Sequence, residues 1–317
     1  TSRGLGDVYK RQIVPVYNVP TEMLCECLHS LFSLALQTHE VQIIVVDDGC
    51  DYDITQGWQP AWLERVTLIR QANQGLSMAR NNALAVATGQ YVQFVDADDY
   101  LFSSLYNEVL AYLKAQAIDL LYFDTTATTT PQSWTTPKGV TSGADFMLHN
   151  NLRSSACGYA FKRELVGDLR FVAGTYYEDI EFTTRIVLKA KTMAVTTAQP
   201  YYYRVRKGSI TSKKTVEDYE QKFLPMSAQI LTRLQHLPVE AAQRPALERR
   251  IAQLTMDHVY NTMRYTHHYA YLSQTLTALR RQGLYPFPNK HYTRKYTLFR
   301  SLVACPITRH LLILLLH

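Results

Sequence analysis

Residues Phe94-Val95-Asp96-Ala97-Asp98-Asp99 put three carboxylates in four positions at the end of an apolar run, Tyr91–Val95. Such a cluster repels itself unless a cation or a hydrogen-bonding ligand neutralises it. The pattern also occurs earlier, where Val41-Gln42-Ile43-Ile44-Val45-Val46 runs into Asp47-Asp48-Gly49. A third acidic pair, Glu178-Asp179, opens a helical stretch, where negative charge suits the positive end of the helix dipole. A lone aspartate at a strand end usually caps the next helix or lines a solvated loop. Two acidic strand ends together point to a ligand site at the carboxyl edge of a sheet, where open α/β folds bind.

The elements that must carry these acids alternate. A strand at 13–17 is followed by a helix over about 21–37, marked on one face by Leu24, Leu28, Leu31 and Ala35. Strands follow at 41–46 and at Val66-Thr67-Leu68-Ile69. The turn Gln74-Gly75-Leu76-Ser77 leads into a helix through about residue 87, closed by Gly89. After the 91–95 strand come a helix at about 103–116 and a strand at 118–123. This alternation predicts an α/β fold, a mostly parallel sheet with right-handed crossovers. Residues 125–142 read as a loop or an extended edge, with helical signals at 143–150, 162–167 and 178–190. Tyr201 to Arg206 reads as the last strand. From about 213 long helical patterns take over, broken at Pro225, Pro238 and Pro245, so a domain boundary is expected near Ser212. That gives a 13–212 α/β domain and a 213–317 helical region. Residues 1–12 are set aside: they resemble a translated sequencing adaptor, and the first strand is expected to start at Ile13 with its beginning missing.

Charge limits the function further. The chain carries a net +6, but seven Lys/Arg and no acids lie from Arg280 onward, and residues 1–12 add +2. The body, 13–279, is therefore 6 − 7 − 2 = −3. That excludes a basic nucleic-acid surface on the main domain. Five scattered cysteines point to a reducing compartment. No run reaches the roughly 18 apolar residues of a membrane span. In the tail, Tyr292, Tyr296, Leu298 and Phe299 interleave with Lys290, Arg294, Lys295 and Arg300. This mix suits either peripheral contact with an anionic membrane or a solvated face whose aromatics pack inward.

A series of motifs then falls in order: Pro15-Val16-Tyr17-Asn18, Val46-Asp47-Asp48-Gly49, Asn73 through Asn81, Phe94 through Asp99, Glu178-Asp179, and a tyrosine-rich strand ending in Arg206-Lys207-Gly208-Ser209-Ile210-Thr211. Over roughly 13–212 it closely resembles the family 2 glycosyltransferases, inverting enzymes of GT-A fold. Cys50 departs from the pattern, which commonly has Ser there. The resemblance implies transfer of a hexose or N-acetylhexosamine from a UDP-sugar to a saccharide or lipid-linked saccharide acceptor, in bacterial surface polysaccharide assembly. It implies a cytoplasmic setting, at or near the inner membrane face, and Mg²⁺ or Mn²⁺ to offset charge on the leaving diphosphate. By the same resemblance Asp98 is the metal ligand, with Asp96 sharing the ion or facing the ribose. Asp47 accepts a hydrogen bond from uracil, and Pro15, Tyr17 and Asn18 wall the base pocket. Tyr17 could equally be a core tyrosine. Arg80 holds the nucleotide or else salt-bridges Asp47 or Asp48. Asp179 is the general base, Glu178 orients neighbouring groups or binds acceptor, and Arg206, Lys207, Ser209 and Thr211 lie where a segment could close over the diphosphate.

Other readings remain open. A degenerate relative would bind sugars or nucleotides without catalysis. A receiver-type signalling domain also gathers acids around Mg²⁺, but the α/β pattern here outlasts such a module, and Lys138 sits in a Thr/Pro-rich loop. A Rossmann dehydrogenase fails because Tyr17-Asn18-Val19-Pro20 offers no glycine-rich turn.

Overall fold

In the computed structural model, residues 10–206 and 215–316 are described. The chain divides into two compact units, 1–143 with 154–205 and 144–153 with 206–317. The division comes at Val205–Arg206, the expected boundary at Ser212 lying outside the described residues, and the short 144–153 segment joins the second unit. Buried arginines hold it there: Arg249 donates to the Met147 carbonyl at 3.1 Å and Arg250 to the Leu152 carbonyl at 2.6 Å.

The first unit contains strands β1 (Lys10–Val16), β2 (Val41–Asp47), β3 (Val66–Arg70), β4 (Tyr91–Phe94), β5 (Tyr100–Leu101), β6 (Leu120–Tyr122), β7 (Thr125–Thr126), β8 (Tyr159–Lys162), β9 (Met193–Val195) and β10 (Tyr201–Tyr202). Seven form one sheet in the order β3-β2-β1-β4-β8-β6-β9, and β5-β10-β7 form a second, small one. In the small sheet β10 runs against β5 and along β7; in the seven-stranded one β1 to β4 pair in parallel, as does β6 with β9, and β8 runs against its neighbours β4 and β6. The sheet is mostly parallel, as the alternation of elements predicts. Strand β8 escapes a periodicity reading because Tyr159, Ala160 and Phe161 are all buried, so no polar residue alternates to betray it. The helical signal after it is a single 3₁₀ turn, Arg163–Leu165.

Parallel strands covered on both faces need continuous apolar runs. Ile43 to Val46 on β2 and Ile13, Val14 and Val16 on β1 meet that need, each essentially inaccessible. The first half of β1 does not. Lys10, Arg11 and Gln12 pair in register with β2 and β4, which corrects the expectation that the strand starts at Ile13. Their side chains are buried, yet Lys10 Nζ, Arg11 Nε and both Gln12 side-chain heteroatoms lack hydrogen-bond partners among the described residues. Burial lowers the Lys10 amine well below its ordinary pKa, and the ring of Tyr106 at 5.4 Å is its main company.

The helices are α1 (Thr21–Phe32), α2 (Pro60–Arg65), α3 (Leu76–Val86), α4 (Ser103–Gln116), α5 (Gly143–His149) and α6 (Glu178–Lys189). Helix α3 packs on β1 and β2. Of these helices α5 goes with the second unit, where it is joined by α7 (Val216–Asp218), α8 (Leu224–Gln235), α9 (Arg244–Thr266), α10 (Tyr269–Arg281), α11 (Arg294–Ala304) and α12 (Pro306–Leu315). Pro245 stands in the first turn of α9 and starts it rather than breaks it, whereas Pro225 follows a π-helical turn, Tyr219–Phe223, that runs from α7 straight into α8 and so does not break the helical run either.

Candidate active site

Strand β1 lies between β2 and β4, with Val16 opposite Asp47 and Ile13 opposite Phe94. The two acidic strand ends therefore flank the end of β1. The chain places β2 and β3 on one side of β1 and β4 on the other, a topological switch point of the kind that opens a crevice at the carboxyl edge. Pro15 is tolerated there for a simple reason. It points the same way as Ile13, whose carbonyl takes the Val95 N–H, and beyond that point β4 no longer pairs with β1.

At the end of β2 the acids build the loop. Asp48 accepts from Gln71 Nε2 at 2.7 Å and from the backbone N–H groups of Gln74 (2.8 Å) and Gly75 (2.9 Å). Gly75 then opens α3 with φ near +85°, a conformation glycine adopts without penalty. Asp47 Oδ1 accepts the Cys50 N–H at 2.9 Å, while Oδ2 faces Arg70 Nε at 4.0 Å. Gly49 cannot be replaced cheaply: its φ is +79°, and a Cβ would sit 2.7 Å from the Asn73 nitrogen.

At the end of β4 the partners come from far along the chain. Asp99 is buried and accepts from Tyr201 Oη at 2.6 Å and from the Arg204 N–H at 2.7 Å. The same Tyr201 hydroxyl takes the Asp96 N–H at 3.1 Å. Arg204 Nε donates to the Asp98 carbonyl at 2.7 Å, and its Nη2 pairs with Glu26. Two residues of β10 and its extension thus splint the whole acidic turn. Burial, together with Asp96, pushes the Asp99 carboxyl up to about 8.

Arg80 joins this turn to α6. Its guanidinium is buried, with Nη2 at 2.9 Å from Asp96 Oδ1 and Nη1 at 2.8 Å from Glu178 Oε1. Phe94 and Phe171 lie about the guanidinium, their ring centres 5.5 and 5.3 Å away. Phe171 stacks on Phe182 of α6 at 3.9 Å. The apolar box excludes water and so strengthens both ion pairs. Asn81 holds it shut by exchanging two 2.9 Å hydrogen bonds with the Phe171 backbone. Next to Glu178, burial and that neighbouring carboxylate raise Asp179 to about 7. The alternative reading of Arg80, a salt bridge to Asp47 or Asp48, thus fails: its partners are Asp96 and Glu178.

Of the expected site residues, Asp47, Asp96, Asp98, Glu178, Asp179 and Arg80 all belong to this unit, and Arg80 ties Asp96 to Glu178 directly. Tyr17 is 51% exposed, which removes its reading as a core tyrosine. Asn18 spends its amide on Asp51, donating at 2.7 Å and accepting at 3.0 Å. Arg206 is half-buried and begins the second unit. Lys207, Ser209 and Thr211 lie outside the described residues. Sequence reasoning missed Asp48, Asp99, Tyr201 and Arg204. Asp48 and Asp99 were visible as members of the acidic motifs, whereas nothing in the sequence signals the pairing of Tyr201 and Arg204 with them.

Asp96 and Asp98 offer hard oxygen donors on one turn, with Arg80 occupying a single oxygen of Asp96. Among the described residues no set of three metal-type side chains converges. Two carboxylates completed by phosphate oxygens are the usual way Mg²⁺ is held beside a nucleotide, so the residues present fit such an ion.

A mostly parallel sheet with acids at its switch point and an acidic helix completing the cleft is the GT-A arrangement. The sequence profile described as glycosyl transferase family 2 matches residues 12–169, and the chain belongs to this family. It is 27% identical over 218 residues to the uncharacterized glycosyltransferase YibD of Escherichia coli (strain K12), covering 63% of this chain and 62% of that protein. A 28% identity over 205 residues relates it to the poly(ribitol-phosphate) beta-glucosyltransferase of Bacillus spizizenii, covering 62% of this chain and 32% of that one. The matched stretches thus span less than two thirds of these relatives. Among solved structures, S. aureus TarS superposes with a TM-score of 0.65 at 20% identity, over 95% of this chain and 54% of that one. The mannosyltransferase PcManGT from Pyrobaculum calidifontis, in complex with GDP-Man and Mn²⁺, gives 0.59 at 17%, over 97% and 87%.

Proposed function

We propose that this chain transfers a hexose or N-acetylhexosamine from a UDP-sugar to a saccharide or lipid-linked saccharide acceptor, with inversion at the anomeric carbon. The observation that carries the reading is the Asp96–Arg80–Glu178 bridge, which couples the acids of β4 to the N-terminus of α6. A carboxylate near neutrality is suited to general-base work at physiological pH, and Asp179 titrates at about 7. It would take the proton of the acceptor hydroxyl as that oxygen attacks the anomeric carbon and the bond to the diphosphate breaks, releasing UDP. Glu178, held by Arg80, positions the helix turn that carries the base. Mg²⁺ or Mn²⁺, when bound by Asp98 and Asp96, supplies positive charge beside the leaving diphosphate. Asp47 would offer Oδ2, 4.0 Å from Arg70 Nε, to the uracil N–H, with Pro15, Tyr17 and Asn18 as the other wall of the base pocket.

The donor class has support in S. aureus TarS 1-349, solved in complex with UDP-GlcNAc, with a TM-score of 0.59. A surface-polymer setting has support in the names of two relatives, a poly(ribitol-phosphate) beta-glucosyltransferase and a minor teichoic acid biosynthesis protein. Free cysteines and these relatives favour assembly of a bacterial surface polymer on the cytoplasmic side. Calorimetric titration with UDP tests the reading: binding should tighten with Mn²⁺, and Asp98→Asn should remove that gain. Asp179→Asn should lower kcat by about 10²- to 10⁴-fold while leaving UDP binding intact. Full turnover by the Asp179→Asn protein, or UDP binding indifferent to both metal and Asp98, would overturn it.

A further inference from the structure

Helix α12 turns its apolar stripe outward. Ile307, Leu311, Leu314 and Leu315 recur at i, i+4, i+7 and i+8 and so share one face, yet they are 72%, 52%, 71% and 81% exposed. Its buried contact in the second unit is Ile313 instead. The preceding α11 buries Tyr296 and Val303 and exposes Leu298 at 62%. Arg294 and Lys295, both exposed, stand four and three residues before Leu298, on the same solvent face. Contiguous exposed leucines of this kind mark an interaction surface rather than an ordinary solvated helix.

Charge says what kind of surface. From Arg280 to the end there are seven Lys/Arg and no Asp or Glu. An acidic partner is therefore matched, and a second copy of the same basic segment is mismatched. Among the described residues no single helix is long and apolar enough to cross a membrane; α11 and α12 reach that length and composition only as a pair bent by 117°. A helix with an exposed apolar stripe and basic neighbours can lie in the membrane interface.

We propose that α11 and α12 form a docking surface for an anionic lipid bilayer, with Ile307, Leu311, Leu314 and Leu315 entering the headgroup–acyl boundary and Arg294 and Lys295 facing the lipid phosphates. The surface lies outside the acidic site and holds whether or not the transferase reading does. Flotation of the full chain with phosphatidylcholine vesicles, with and without phosphatidylglycerol, tests it. Binding is expected with phosphatidylglycerol, weakening as salt rises. The double variant Leu311→Asp/Leu314→Asp should abolish it, and Arg294→Gln and Lys295→Gln should each lower it about fivefold. All four side chains are exposed, so unchanged circular dichroism will separate lost binding from lost folding. Binding that ignores phosphatidylglycerol and salt overturns the proposal. So does failure to float, most plainly if light scattering shows a dimer that Leu311→Asp/Leu314→Asp dissociates.

Discussion

The two edges of the main sheet treat buried polarity in opposite ways. At the carboxyl edge Asp48 has three donors, Asp99 has a hydroxyl and an N–H, and Arg80 divides its terminal nitrogens between two carboxylates. At the amino edge Lys10 and Gln12 are as deeply buried, yet among the described residues their side-chain polar atoms have no hydrogen-bond partner. Buried groups retained at such density are stable only when satisfied. The first edge is therefore a built site, with Arg80 Nε alone of that guanidinium left without a partner among the described residues, and the second gives Arg11 Nη2 a partner in Thr88 but leaves the Lys10 and Gln12 side chains unsatisfied.

The largest break in that contrast should come from Arg80→Met. It leaves Asp96 and Glu178 without their shared cation, so urea unfolding should show a loss of about 3–5 kcal/mol. Arg80→Lys should recover only part, because a single ammonium cannot hold both carboxylates in the same planar fork. At the amino edge the sign reverses: Lys10→Met should raise stability by about 2 kcal/mol in the same assay, since it removes an unpaired buried amine.

Acidity sharpens the comparison next. Asp179 and Asp99, raised to about 7 and 8, keep protons in the native state that the unfolded chain releases near pH 4. Native stability of the ligand-free protein should therefore fall as pH rises from about 4 to 8, and Asp99→Asn should flatten part of that slope. Transfer has the opposite dependence, because the base must be ionised. The value of kcat/KM should fall about tenfold for each pH unit below 7. The smallest effect expected is from Tyr201→Phe, which deletes the hydroxyl shared by Asp96 N–H and Asp99. A loss of about 1 kcal/mol in urea unfolding, with weakened metal-dependent UDP binding, would match its splinting role.

Much of this was legible before any coordinates. Apolar runs ending in Asp47-Asp48 and Asp96-Ala97-Asp98-Asp99 announced parallel strands and a carboxyl-edge site, because continuous burial and local charge are both written residue by residue. Helix α6 was legible from Glu178-Asp179 for the same reason. Strand β8 was not, since a short strand buried on both faces carries no period. Nor was the separation of 144–153 from the first unit, which depends on arginines about a hundred positions away along the chain.

By itself the sequence determined which residue types stand at the ends of strands, and hence the kind of chemistry available. Only the tertiary structure decided who neutralises whom. It gave Arg80 to Asp96 and Glu178 rather than to Asp47, and it brought Tyr201 and Arg204 to Asp99. The reason is that ion pairs and hydrogen bonds in a dry interior act over a few ångströms, a distance set by how the strands and helices pack and not by separation along the chain.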